Sequence, residues 1–250
     1  MKTYIVNLPR CRDRREHILR ECARFELEPE IFGVDGQNLT ETELQGLVFD
    51  PGRNKLSRSE IGCALSHLRI YGDMIGKDIP IALVLEDDSV FNQDPRPILA
   101  GLEQQPMDAP EVYLLTHGSN RYIAHGRPRQ VGDTLFHRGW AGNGTYGYAL
   151  TRKAAANIRG FQTPVKCPGD WWKLFQVNGL IRLYICEKEI IAPHPELGQE
   201  ASSLQIRNTS AAWRRARERY VRRIRNQTPF RLRAKFFFFR LRHQFNIRCQ

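Results

Sequence analysis

Residues 81–85, Ile-Ala-Leu-Val-Leu, form an unbroken apolar run that ends directly in three carboxylates, Glu86, Asp87 and Asp88. A run of this length, entered from a turn at Pro80 and showing no polar alternation, has the pattern of a strand covered on both faces. Such strands lie inside sheets that carry helices above and below, which selects an α/β fold. In open sheets of that kind ligands bind beyond the carboxyl ends of the strands, and that is where the three acids stand.

The rest of the chain alternates strand and helix in the same way. The opening KTYIVNL reads as a strand, followed by a helix on which Ile18, Cys22 and Phe25 recur at helical spacing. Residues 30–36 predict a second strand and turn, and Thr40 with Glu43 has the form of a capping box. Ser57 and Glu60 repeat that box before a stronger helix, whose stripe is Ile61, Ala64, Leu65, Leu68, Tyr71 and Ile75. Further strands are predicted at 112–116, 145–150 and 180–185, with a helix at 153–158. The expected architecture is a doubly wound, Rossmann-like mixed sheet with helices on both faces.

At 250 residues the chain is one large domain, with or without an appendage. Its charge shows where the appendage lies. Residues 211–250 hold 13 Lys and Arg against Glu218 alone, a net +12, so the formal +11 of the whole chain leaves −1 for residues 1–210. Composition turns Arg-rich and aromatic at about residue 206, which separates a body, 1–205, from a tail, 206–250. A nearly neutral body disfavours nucleic acid as a partner. In the tail, Trp213, Ala216, Tyr220 and Ile224 form a stripe among arginines, and Phe236 to Phe239 follow. That pattern predicts attachment to an anionic membrane surface, with a solvated or nucleic-acid-binding arm as the alternative. No run approaches the ~18 apolar residues of a membrane span. The start, MKTYIVNLPR, lacks the apolar core and cleavage site of a signal peptide, so a cytoplasmic location is expected. The six cysteines show no CxxC pair and are expected to be free thiols.

Five features bear on chemistry. Glu86, Asp87 and Asp88 repel one another unless a cation is present; in extended geometry Glu86 and Asp88 share a side and could meet a hard divalent ion, Mg²⁺ or Mn²⁺. A solvated acidic loop is the alternative. Glu60, Cys63 and His67 lie on one flank of the strong helix, although a lone helical His is usually a satisfied structural group. Gly142 to Gly147 satisfies GxGxxG, but Tyr148, Ala149 and Leu150 continue as strand where a dinucleotide fingerprint needs a helix, so it is discounted. Asp170, before Trp171 and Trp172, is either an ordinary helix N-cap or an acid beside an indole platform, the combination a sugar site needs. His194, between two prolines, is a further ligand or a turn residue.

Taken together, YIVNLPRCRDRRE, SEIGCALSHLRIY, ALVLEDDSVF, TYGYALTRKAA and PGDWW resemble glycosyltransferase family 25, the bacterial lipooligosaccharide galactosyltransferases, from residue 3 to about 205. The resemblance implies a GT-A-like nucleotide-sugar transferase fold and an inverting transfer of galactose from UDP-galactose, with Mn²⁺ (or Mg²⁺) as cofactor. The implied acceptor is a sugar hydroxyl of a lipooligosaccharide or lipopolysaccharide core, joined in a β-1,4 linkage, and the implied location is the inner face of the bacterial inner membrane. Carried onto matching positions, Asn7 and Arg14 belong to the donor pocket. Glu60, Ser66 and His67 line the site, Asp87 binds substrate, Glu86 and Asp88 hold the metal, and Asp170 is the catalytic acid-base residue. An inactive carbohydrate- or nucleic-acid-binding relative is the alternative. A glycoside hydrolase is disfavoured, because adjacent acids on one strand do not face each other across a bond.

Overall fold

The computed structural model describes residues 1–117, 120–124, 127–197, 210–243 and 247–249. In chain order the strands are β1 (Lys2–Val6), β2 (Pro29–Phe32), β3 (Ile81–Glu86), β4 (Ser89–Phe91), β5 (Glu111–Leu114), β6 (Arg121–Ile123), β7 (Arg129–Val131), β8 (Thr134–Ala141), β9 (Gly147–Thr151), β10 (Arg182–Cys186), β11 (Ile191–Pro193) and β12 (Ile247–Cys249). The helices are α1 (Arg12–Ala23), α2 (Glu41–Leu47), α3 (Arg58–Gly76), α4 (Arg96–Glu103), α5 (Arg152–Gln162), α6 (Trp172–Val177), α7 (Ala211–Asn226) and α8 (Phe230–His243).

One mixed sheet organises these elements, in the order β12-β6-β8-β10-β5-β9-β3-β1-β2, with β7 added against β8. β2, β1 and β3 run parallel, and β9 lies antiparallel between β3 and β5. β3 is central, as its unbroken apolar run predicts. Ala82 and Val84 enter the core beneath α3 and α5, while Ile81, Leu83 and Leu85 enter the core beneath α1 and α4. The expected mixed α/β sheet with two covered faces is therefore present.

The strong helix is rotated relative to its predicted stripe. Leu65, Leu68 and Ile75 are only half-buried, whereas Ser66, His67, Ile70 and Met74 are buried. Two polar residues enter the interior with partners, although His67 Nε2 has none within hydrogen-bond distance. Ser66 Oγ accepts the Val34 N–H at 2.8 Å and donates to the Gly62 carbonyl at 2.8 Å, and His67 Nδ1 lies 2.8 Å from the Tyr148 hydroxyl. The same face needs backbone contact with the loop after β2. A Cβ on Gly62 would lie 2.6 Å from both the Val34 carbonyl oxygen and the Gly36 nitrogen.

The basic tail folds back on the body. Both buried residues of α7, Tyr220 and Ile224, join the core beneath α3 and α5, and the Tyr220 hydroxyl donates to the Lys166 carbonyl at 2.7 Å. The inner half of the stripe expected to lie on a membrane is thus spent on the protein. What α8 and its approach leave outward is Phe230, Phe237, Phe238 and Leu241.

Two glycines of α3 should respond in opposite directions to alanine. Gly62→Ala forces a Cβ into backbone and is expected to cost about 1–3 kcal/mol. Gly72, whose added Cβ would meet only the Arg159 side chain at 3.4 Å, should gain up to about 1 kcal/mol from helix propensity. Urea unfolding of both variants checks this, and destabilisation by Gly72→Ala equal to that by Gly62→Ala would contradict the packing described.

Candidate active site

The acids after β3 are gathered by the two elements that flank them. Asn7, just beyond β1, donates through Nδ2 to Asp87 Oδ2 at 2.7 Å and to the Cys11 carbonyl at 3.1 Å. Arg14 of α1 bonds Asp87 Oδ1 and also reaches Asp88 Oδ2 at 2.9 Å. The sequence reading placed Asp87 on the opposite side from Asp88. That alternation does not hold, because the strand ends at Glu86 and Asp87–Asp88 form the turn into β4. One guanidinium can therefore hold both.

Glu86 has different company. The Thr145 hydroxyl donates to its Oε1, and His67 Nε2 lies 3.7 Å from the same oxygen. Burial opposes its charge, but His67, Thr145 and Arg14 hold its carboxyl below the usual range. His67 is oriented from behind by a buried chain, with Nδ1 on the Tyr148 hydroxyl and that hydroxyl 2.7 Å from Tyr71. Thr145, Tyr148 and Tyr71 are not expected as site residues from sequence. Tyr71 reads as part of the apolar stripe of α3, and the TYGY segment reads as a strand within the family resemblance.

A cavity of about 570 Å³ opens beside these groups, with Asn7, Arg14, Cys63, Ser66, Glu86 and Asp87 among its walls. Glu60 is not on that wall. It closes the capping box at the start of α3, accepting the Ser57 N–H at 2.7 Å, and meets Arg217 of α7 through two bonds of 3.0 and 2.5 Å. Although burial opposes its charge, Arg217 and Ser57 hold its carboxyl below the usual range.

Asp170 does not cap α6. The N-cap position is Trp171, without a side-chain bond, and the Asp170 carboxylate instead accepts the Gly144 N–H at 3.3 Å from the β8–β9 loop. Burial raises its pKa against that hydrogen bond, and the charges of Glu86 and Glu60 push the same way as burial. The two tryptophans divide. Trp172 is fully buried, with Nε1 donating to the Gly144 carbonyl at 2.9 Å. Trp171 stands beside Asp170 on a second cavity of about 530 Å³, so the indole platform is one ring from this pair and not two. Asp170 thus faces one cavity and Glu86 the other, near enough for their charges to interact. The discounted glycine motif spans the loop between β8 and β9, and a strand follows it, as expected.

The donor set fits a hard divalent cation. Asp88 Oδ1 is buried without a hydrogen-bond partner, and burial together with the charges of Glu86 and Asp87 pushes this carboxyl up to about 7, against the opposing charge of Arg14. Glu86 and Asp88 would hold the ion. Cys63, His67 and Glu86 also present ligand atoms within 4.8 Å of one another. Burial and the surrounding carboxylates raise the Cys63 thiol well above its ordinary pKa, which works against a thiolate ligand. His194 serves the turn. Its backbone N–H donates to the Asp88 carbonyl at 2.6 Å, and its Nδ1 accepts two backbone N–H groups at 3.3 Å.

Comparison with known proteins bears on this arrangement. A "Glycosyltransferase 25 family member" of Drosophila melanogaster is 30% identical over 167 residues, 63% of this chain and 27% of that protein. Procollagen galactosyltransferase 2 of Homo sapiens is 31% identical over 124 residues, 44% of this chain and 20% of that protein. The matched stretches are about a quarter of the length of these relatives. A solved structure described as a glucose-1-phosphate thymidylyltransferase from Bacillus anthracis superposes with a TM-score of 0.39 at 13% identity, covering 86% of this chain and 99% of that one. The family model described as "Glycosyltransferase family 25 (LPS biosynthesis protein)" matches residues 1–171. That span begins at β1, takes in α3 and the acids after β3, and ends just past Asp170; the chain belongs to glycosyltransferase family 25.

Proposed function

We propose that the protein transfers galactose from UDP-galactose to a sugar hydroxyl of a lipooligosaccharide or lipopolysaccharide core, with inversion at the anomeric carbon and formation of a β-1,4 linkage. The observation that carries this reading is a pair of cavities, one with Glu86 on its wall and the other with Asp170, whose two carboxylates are near enough for their charges to interact. Family membership and the galactosyltransferase relatives support the class of transfer; the acids support a diphosphate donor.

In this reading the nucleotide sugar occupies the cavity beside β1 and α3. A divalent ion, Mn²⁺ or Mg²⁺, held by Glu86 and Asp88 would offset charge on the diphosphate as it leaves, an effect worth several kcal/mol. Arg14 fixes the turn that carries Asp87 and Asp88, and Asn7 fixes Asp87. His67 and Thr145 fix Glu86. On the other side, Asp170 removes the proton from the acceptor hydroxyl, whose oxygen attacks the anomeric carbon from the face opposite the diphosphate. The Gly144 N–H orients the carboxylate for this, and burial makes it a stronger base than an ordinary aspartate. Trp171 offers an apolar face to the acceptor ring.

The location proposed is peripheral, on an anionic inner leaflet. Phe230 and Phe238 are 76% and 67% exposed, and Arg231 and Lys235 lie on the same helix. Apolar side chains entering the headgroup boundary beside cations are what such attachment needs.

Incubation with a panel of labelled nucleotide sugars should show turnover of UDP-galactose that EDTA stops and Mn²⁺ restores. Asp88→Asn is expected to abolish transfer and Glu86→Gln to reduce it severely. Full activity of Asp88→Asn in metal-free buffer would overturn the assignment, and transfer to procollagen peptides but no saccharide would overturn the acceptor class.

Asp170→Asn should lower kcat by about 10² to 10⁴ while leaving stability nearly unchanged. The base works only when ionised, so kcat/KM should fall as pH drops through its raised pKa, above the ~3.9 of a free aspartate. A variant that kept both the rate and the acid limb would move the base elsewhere.

For attachment, Phe230→Ser with Phe238→Ser leaves the charge unchanged and should weaken binding to anionic vesicles at least about tenfold, given ~1.5–3 kcal/mol per buried Phe. Equal sedimentation of variant and parent with the vesicles would refute an apolar contribution.

A further inference from the structure

The second cavity is built from two parts of the chain. The body supplies Asp170 and Trp171, and the C-terminal helices and the link between them supply Arg225, Arg233 and Thr228. Two arginines of α7 are held by carboxylates of the body, Arg217 by Glu60 and Arg223 by Asp50 at 2.9 Å. Arg225 and Arg233 stand instead on the cavity wall, and neither guanidinium has an ion-pair partner among the described residues. Thr228 adds an independent sign of a missing ligand. It is 2% exposed, lines the same cavity, and its hydroxyl is buried without a hydrogen-bond partner.

Two unpaired guanidinium forks on one wall match the geometry of a carboxylate or a phosphate, and an indole beside a carboxylate on the facing wall suits a sugar ring and its hydroxyl. We propose that this cavity is the acceptor subsite and that the acceptor saccharide carries an anionic group, bound by Arg225 and Arg233 while its reacting hydroxyl is presented to Asp170. Placing the reacting hydroxyl at Asp170 rests on the transfer reading above; binding of an anionic saccharide does not. The tail in this account is the wall that selects the acceptor. The two arginines act on affinity, so their loss should raise KM for an anionic acceptor and leave kcat nearly unchanged.

The full-length protein is titrated with methyl glucoside, methyl glucuronide, glucose 6-phosphate and inorganic phosphate, followed by calorimetry and by tryptophan fluorescence. At least one anionic sugar should bind about tenfold or more tightly than the neutral one, and which one does so separates carboxylate from phosphate. Arg225→Gln with Arg233→Gln should erase the preference. Arg222→Gln with Arg231→Gln, the same charge change at exposed positions outside the cavity, should keep it. UDP affinity should be equal in all forms, which also reports an intact fold. The proposal is overturned if neutral and anionic sugars bind alike, if the control pair loses as much as the cavity pair, or if inorganic phosphate binds as tightly as the phosphosugar. Anionic preference without turnover of any nucleotide sugar would sink the transfer reading and leave the subsite standing. Transfer to an anionic acceptor with a KM untouched by the cavity pair would do the reverse.

Discussion

Three carboxylates at the end of one buried strand repel each other, and the counter-charge within the protein is the guanidinium of Arg14. It bonds Asp87 and reaches Asp88 at 2.9 Å, so it holds the turn after β3 and docks α1 against the same strand end. Asn7 completes the attachment from β1. The wall of the first cavity and the approach of α1 follow from this cluster, while Thr145 and His67 set the direction of Glu86. One positive charge against three negative ones leaves the centre short of cation. Burial, joined by that deficit, pushes the Asp88 carboxyl up to about 7, and its other oxygen, buried without a hydrogen-bond partner, fits a metal.

Much of this was legible in the sequence because the signals were local. A short unbroken apolar run entered from a turn has the pattern of a doubly covered strand, and the two capping boxes, at Thr40 and Ser57, are both present as read. What was not legible depends on tertiary contact. Periodicity placed the stripe of α3 on its most apolar residues. The helix turned instead to the side where Ser66 and His67 find partners and where Gly62 admits the loop after β2. Strand alternation failed after Glu86 because a two-residue turn obeys different geometry. Asp170 looked like a cap because the helix start was visible, whereas the Gly144 N–H that claims it lies in another loop.

The tail shows the same limit more strongly. An arginine-rich amphipathic helix presents one pattern whether its apolar stripe meets lipid or protein, and composition cannot separate the two. Tyr220 and Ile224 chose protein, with Asn54 and the Lys166 carbonyl available to the Tyr220 hydroxyl. Two body carboxylates, Glu60 and Asp50, then receive two of the arginines. A helix that is strongly basic in sequence is thus partly neutralised in place.

The Glu60–Arg217 pair reaches further than the docking of one helix. Glu60 lies close enough to Asp170 for its charge to raise that carboxyl, and Arg217 interacts with both. With the guanidinium in place, the negative potential that Glu60 casts on Asp170 is opposed by a positive charge. Were it withdrawn, Asp170 would hold its proton more firmly. The proton affinity of a residue in the body is therefore set in part by a side chain from the far end of the chain, a long-range electrostatic trim built into the way the tail is seated.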